Sequence, residues 1–252
     1  MLHRRRLARG LARVAGLDEP VARRVADALR AALDNRLEPA EMQWVERIEA
    51  QRRKLESSVE EMVELTAEGR PSARLVGELA RIGSVSPRWA LVLFMLVRRL
   101  EPASCLELGT CLGISAGYQG AALELNGKGR LVTLEAGRAR AALAERNLAD
   151  VGVRRATVRV GLFQDILEPT MRGLAPIEFV FVDGQHEGDA TIRYFEQLVV
   201  HAGENAVLVF DDIGWSPGMQ DAWATIRNDR RVRLWTDVTR FGICVVGGDD
   251  VR

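Results

Sequence analysis

After residue 100 the spacing of apolar residues switches repeatedly between two periods. Short runs with strand character, SCLEL, RLVTLE, ATVRVG, IEFVFVD, AVLVFDD, VRLWTDV and FGICVV, alternate with stretches of helical spacing. No other feature constrains the chain as much. Strands connected through helices return to the same end of a sheet each time, so they lie parallel, with right-handed crossovers. The last two runs are joined only by a short turn near Thr239 and Arg240, too short for a crossover helix. The final strand is therefore expected to run antiparallel to its neighbour.

Before residue 100 the apolar residues keep a helical period, broken at Asp18 to Pro20 and at Glu38 to Pro39, where an acidic residue followed by proline suits a new helix start. The longest helix is expected from about residue 39 to residue 68, with Val45, Ile48, Leu55, Val59 and Met62 on alternating three- and four-residue steps and Arg52 interrupting the seam. Such a stripe packs on its own domain, or forms a dimer seam or a lid. The chain is expected to divide into a helical extension, 1–82, and a second unit, 83–252. A length of 252 residues suits one large domain or one domain with an appendage. With 35 basic against 35 acidic side chains there is no net field to gather phosphates, and nucleic acid is not an expected partner. Three cysteines (Cys105, Cys111, Cys244) without a CxxC make neither a disulfide framework nor a zinc site and suit a reducing cytoplasm. The most apolar stretch, Ala90 to Val97, is far shorter than the ~20 residues of a membrane span, and no membrane partner is expected. The arginine-rich opening lacks the long apolar segment of a secretory signal and reads as a solvated helix.

The first strand runs into LELGTCLGIS, residues 106–115, and a helix follows at about Ile114. Gly109 and Gly113 let the backbone turn tightly beside a ligand, and the helix N-terminus offers free N–H donors. The second strand ends in Glu135, 22 residues beyond Gly113, where an open α/β sheet sets an acid against ribose hydroxyls. A short-chain dehydrogenase is the reading to test first. Ser115 stands where its last glycine belongs, and no YxxxK follows, because Tyr118 is succeeded by Ala122 and Tyr194 by Leu198.

The fourth strand ends in VDGQH, with Asp183 and, three residues on, His186, and the fifth ends in FDD, with Asp211 and Asp212. C-terminal ends of neighbouring parallel strands share one crevice, so these carboxylates converge there and call for a cation; hard oxygen ligands suit Mg²⁺. The plainer alternative is that Asp211 or Asp212 caps the next helix or a turn. Of the three histidines, His3 lies in the tail and His201 near a helix end, whereas His186 starts the loop above the acids. An ordinary pKa of ~6.5 suits it to take a proton near neutrality.

These residues resemble a class I S-adenosylmethionine-dependent methyltransferase, and within that group the cation-dependent O-methyltransferases of the catechol type and the macrocin-type sugar methyltransferases. The resemblance covers about residues 83 to 247. It implies an α/β, Rossmann-like sheet of seven strands with the last antiparallel, preceded here by an α-helical N-terminal extension. It assigns Glu107, Gly109, Gly113 and Ser115 to the cofactor loop and Glu135 to the ribose. Phe163 and Gln164 of GLFQD fall to the adenine, Val85 of GSVSP to the methionine part, and Asp183 to both the cofactor and the metal. It implies that Asp183, Asp211 and Asp212 hold Mg²⁺ or another divalent cation. In the place of the catechol enzymes' lysine stands His186, as in the sugar enzymes, which makes it the general base. Trp89 stands where the catechol enzymes carry a basic residue.

The implied function is S-adenosylmethionine- and Mg-dependent methylation of a small-molecule hydroxyl on a catechol-like, sugar or natural-product acceptor. A cytoplasmic homodimer formed through the N-terminal helices is expected. The alternatives are a cofactor-binding protein without catalysis and a metal-independent methyltransferase. Trp215 covers the acceptor or joins the core.

Overall fold

The computed structural model describes residues 2–65 and 70–247. Its sheet has seven strands, β3 (Ser104–Leu108), β4 (Arg130–Glu135), β5 (Ala156–Val160), β6 (Ile177–Val182), β7 (Ala202–Phe210), β8 (Val232–Val238) and β9 (Phe241–Val246), in the spatial order β5-β4-β3-β6-β7-β9-β8. All neighbouring pairs from β5 to β7 are parallel, and β9 runs antiparallel to both β7 and β8, as the short turn at Thr239 and Arg240 requires. β1 (Glu61–Leu65) and β2 (Pro71–Leu75) form a separate hairpin.

The alternation of side chains along the strands divides the core in two. Phe179 and Phe181 of β6, Val207 and Val209 of β7, and Ile243 and Val245 of β9 face one cluster, while Val180, Val182, Leu208, Phe210, Cys244 and Val246 face the other. The first face is covered by α1 (Leu2–Ala15), α2 (Pro20–Leu33), α3 (Pro39–Glu56), α5 (Pro87–Leu100) and α6 (Ile114–Asn126), which contribute Val14, Leu29, Ile48, Phe94 and Tyr118. The second is covered by α8 (Phe163–Leu174), α9 (Gly188–His201) and α10 (Pro217–Arg227) through Met171, Phe195 and Trp223. The short α4 (Val76–Gly83) and α7 (Arg138–Val151) complete the helices. Helix α5 is apolar on all sides from Ala90 to Val97, and every one of these residues is buried, because α2 and α6 pack against it. Proline at the first helical position starts α2, α3, α5 and α10, as expected for Pro20 and Pro39.

The expected helix from 39 to 68 is shorter than its pattern suggested. It stops at Glu56, the chain turns through Ser57 and Ser58, and Met62 lies on β1, while residues 66–68 fall outside the described residues, as does the side chain of His3. Serines favour caps and turns over helix interiors, and β-branched Val59 and Val63 suit an extended chain. Val59 is exposed and lies beyond the end of the helix that was to carry the stripe. Arg52, the interruption of that seam, is buried instead, its Nε 2.9 Å from Glu49 Oε1, the same oxygen that accepts the Tyr118 hydroxyl at 2.8 Å. Helix α3 thus packs on its own chain, against α4, α6 and α7.

Ile48 is 1% exposed and lies over Gly117 of α6, where an added Cβ would stand 3.7 Å from its methyl group. Ile48→Ala should lower the unfolding free energy by about 2–5 kcal/mol in urea denaturation, the cost of a buried aliphatic truncation. A loss below about 1 kcal/mol would mean that α3 is a detachable appendage.

Candidate active site

β3 and β6 are neighbours, yet the chain leaves β3 toward β4 and β5 and leaves β6 toward β7, so a crevice opens between the two loops. The loops touch at Gly109, whose φ is +103° and whose added Cβ would meet the carbonyl oxygen of Asp183 at 2.5 Å. Gly113, with φ +82°, is the N-cap of α6 and has no side chain to cap the first N–H groups, which leaves them to a ligand. The added Cβ of Gly83 would lie 2.9 Å from Cys111 Sγ, so the segment carrying Val85 runs beside this loop.

Glu135 stands at the C-terminal end of β4 and reaches under the loop. One carboxylate oxygen accepts the Cys111 amide at 2.8 Å; the other accepts the Gly137 amide at 2.8 Å and pairs with Arg140 Nη2 at 2.9 Å. Arg140 also pairs with Glu64 of the hairpin at 3.0 Å, which ties β1 to the floor of the site. Glu107, in contrast, is fully buried and hydrogen-bonded to Gln119 at 2.7 Å and Thr133 at 2.5 Å. Burial pushes its carboxyl up to about 8 against the pull of the Thr133, Ser115 and Gln119 bonds. Glu107 and Ser115 therefore brace the loop from beneath and do not face the crevice. Phe163, at the first turn of α8, covers Gly184, and Gln164 beside it is exposed.

Asp183, Asp211 and Asp212 lie on one rim, and a guanidinium joins the last two. Arg240 donates from Nε to Asp211 Oδ1, from Nη2 to Asp211 Oδ2 at 2.6 Å and from Nη2 to Asp212 Oδ2 at 3.3 Å. The Asp211 side chain is wholly buried, and its Oδ1 also accepts the Asp212 amide at 2.6 Å. Among the described residues no group of His, Cys, Asp and Glu side chains is placed to hold a metal ion. The expected Mg²⁺ site of Asp183, Asp211 and Asp212 is thus not formed, because a guanidinium already satisfies its central carboxylate. In the sequence Arg240 marks only a turn. Its place follows from topology: β9 pairs Gly242 with Phe210 of antiparallel β7, so the turn before β9 must sit beside the aspartates after β7.

Burial, opposed by Arg240, pushes the Asp211 carboxyl up to about 7. Burial and Asp211 also raise Asp212. His186 Nε2 lies 3.2 Å from Asp183 Oδ1 and 3.7 Å from Asp212 Oδ2, and the hydrogen bond to Asp183, against partial burial, holds the imidazole above its usual value. Trp215 is 69% exposed and its ring lies 6.0 Å from that of His186, so it is a rim residue and not a core one. Left-handed backbone at Cys111, Gln185, Asp212 and Thr239 places four strained non-glycine residues in the loops of this one rim. Beyond Ile213 and Gly214 opens a cleft of about 570 Å³, walled by α1, α10 and β8, where Arg13 stacks 3.5 Å over Trp235.

The family described as "Methyltransferase domain" matches residues 106–213. A catechol O-methyltransferase of Niastella koreensis is 30% identical over 132 residues, 52% of this chain and 58% of that protein, so the match spans less than two thirds of the relative. The O-methyltransferase from Bacillus cereus, solved in complex with SAH, is 25% identical with a TM-score of 0.55 over 66% of this chain and 83% of that one. The O-methyltransferase TomG from Streptomyces achromogenes, involved in tomaymycin synthesis and solved with SAM, is 28% identical with a TM-score of 0.55 over 66% and 82%. A methyltransferase from Podospora anserina, 16% identical with a TM-score of 0.61 over 89% and 95%, shares the fold.

Gly109→Ala should strain the loop and force the β3 and β6 ends apart, given the 2.5 Å approach and the φ of +103°. A cost of about 1–3 kcal/mol is expected in urea denaturation. Unchanged stability would show that the two loops separate freely.

Proposed function

We propose that the chain is a class I S-adenosylmethionine-dependent O-methyltransferase of the catechol O-methyltransferase-like kind and that it methylates a hydroxyl oxygen of a small molecule. The observation that carries this reading is the shared crevice. Gly109 of the glycine loop touches Asp183, and His186, three residues beyond, stands 3.2 Å from the carboxylate of Asp183. When bound, S-adenosylmethionine supplies a methyl group already activated on a cationic sulfur. The uncapped N–H groups of α6 and the carboxylate of Glu135 hold its polar parts, and the tight approach of the two loops suits a ligand that contacts backbone.

The remaining chemistry is alignment and removal of one proton. With Nε2 of His186 donating to Asp183, the neutral ring keeps its lone pair on Nδ1, which takes the proton of the acceptor hydroxyl as its oxygen is alkylated. Asp183 and Asp212 then steady the imidazolium. Trp215, exposed at the rim with its ring 6.0 Å from that of His186, is placed to cover an acceptor bound there. No step of this reading passes through a metal ion.

Glu135→Ala should weaken S-adenosylhomocysteine binding about ten- to a hundredfold by calorimetry, since charge-assisted bonds from ribose hydroxyls contribute roughly 1.5–3 kcal/mol. Unchanged affinity would remove Glu135 from the site. For His186, only the neutral ring accepts a proton, and Asp183 holds its pKa above 6.5. The rate of catechol methylation should therefore climb with pH through a titration above that value and then level. In His186→Ala the climb should vanish and kcat fall roughly 10²–10⁴-fold. Parallel pH profiles of similar height in the two proteins would make His186 a structural residue.

A further inference from the structure

We propose that Arg240 is a built-in counter-ion that holds the position and charge a divalent cation would otherwise take, so that this site works without bound metal. The inference deepens the methyl-transfer reading and rests on it for the reaction, while the geometry stands by itself. Two nitrogens of one guanidinium grip both oxygens of Asp211, and one of them reaches on to Asp212. This planar fork matches a carboxylate as a spherical ion does not.

Two further observations and one argument from charge support an arrangement that is built and not incidental. The Asp211 side chain has no exposed surface; its Oδ1 accepts from both Arg240 Nε and the Asp212 amide, and its Oδ2 accepts from Arg240 Nη2, so three of its lone pairs are already engaged within the protein. Arg240 is pinned by its own backbone: its amide bonds the Val238 carbonyl at 2.9 Å, and its carbonyl accepts the Ile213 amide at 3.2 Å, joining the turn to the loop that carries the aspartates. Finally, a divalent ion placed among the same carboxylates would stand beside the guanidinium, and like charges so close in a half-buried site repel.

About a third of the Arg240 side chain remains exposed, as does that of His186, so the guanidinium faces the same opening as the base. Its charge there is fixed at every working pH, and it offers donors to an acceptor oxygen losing its proton. A residue in this role does for the oxygen what a Lewis acid does, with hydrogen bonds in place of coordination.

The test is Mn²⁺ binding to the full-length protein, followed by electron paramagnetic resonance, with S-adenosylhomocysteine calorimetry on every variant to report the fold. Wild type should bind Mn²⁺ no more tightly than about millimolar. Arg240→Gln should open the site and bind at least about tenfold more tightly, and adding Asp211→Asn should abolish the gain. Arg240→Lys, which keeps the charge, should stay as wild type. Tight Mn²⁺ binding by wild type that Asp212→Asn removes would overturn the proposal, as would an Arg240→Gln protein that keeps cofactor affinity yet binds no Mn²⁺. If Arg240→Gln loses its fold, the wild-type, Asp212→Asn and Arg240→Lys measurements decide. Failure of wild type to bind S-adenosylhomocysteine would instead overturn the methyltransferase reading and leave the metal result readable.

Discussion

The approach of two strand ends governs this site. Gly109 and Asp183 belong to loops that leave the sheet in opposite directions, and only a residue without a side chain lets their backbones meet. That contact sets the glycine loop, the α6 N-terminus and the Asp183–His186 pair around one opening. A side chain at position 109 would meet the Asp183 carbonyl and widen the crevice. The four left-handed non-glycine residues on the same rim are held by the surrounding sheet, whose two apolar faces leave the strands little freedom to shift.

Electrostatics at the rim follow from that convergence. Asp183, Asp211 and Asp212 are brought together by topology, and three carboxylates cannot all stay ionised in a half-buried space without positive charge. Arg240 provides it for Asp211 and Asp212, and His186 for Asp183 and Asp212. The two cations differ in kind. The guanidinium keeps its charge at every working pH, whereas the imidazole is titratable, and the hydrogen bond to Asp183 holds its pKa above the usual value.

The segments before α5 do more than extend the domain. Val14, Leu29 and Ile48 lie in the same cluster as Phe94, Val207 and Phe241, so the N-terminal helices complete one face of the sheet. The hairpin joins the site electrostatically, because Glu64 shares Arg140 with Glu135. Arg13 of α1 reaches Trp235 at the edge strand and closes one wall of the cleft beyond the acids.

Local pattern by itself determined the sheet: seven strands, their parallel run and the antiparallel last strand follow from alternation and from the length of one turn, because these are constraints on neighbouring residues. It also marked Gly109, Gly113, Glu135, Asp183 and His186, since each lies at a strand end or in the loop just beyond it, on a side of the sheet dictated by connectivity. The end of α3 was not legible, because Val59 and Met62 fit a helical stripe as well as a hairpin and only packing decides between them. Glu107 lies in the same motif as Gly109, yet whether its carboxylate faces ligand or core depends on Thr133 and Gln119, residues distant in sequence. Arg240 shows the division most plainly. Its charge was visible in a turn, but its partners are 28 and 29 residues away, and the choice between a guanidinium and a metal ion as counter-charge was made by the fold that brings the turn to the aspartates.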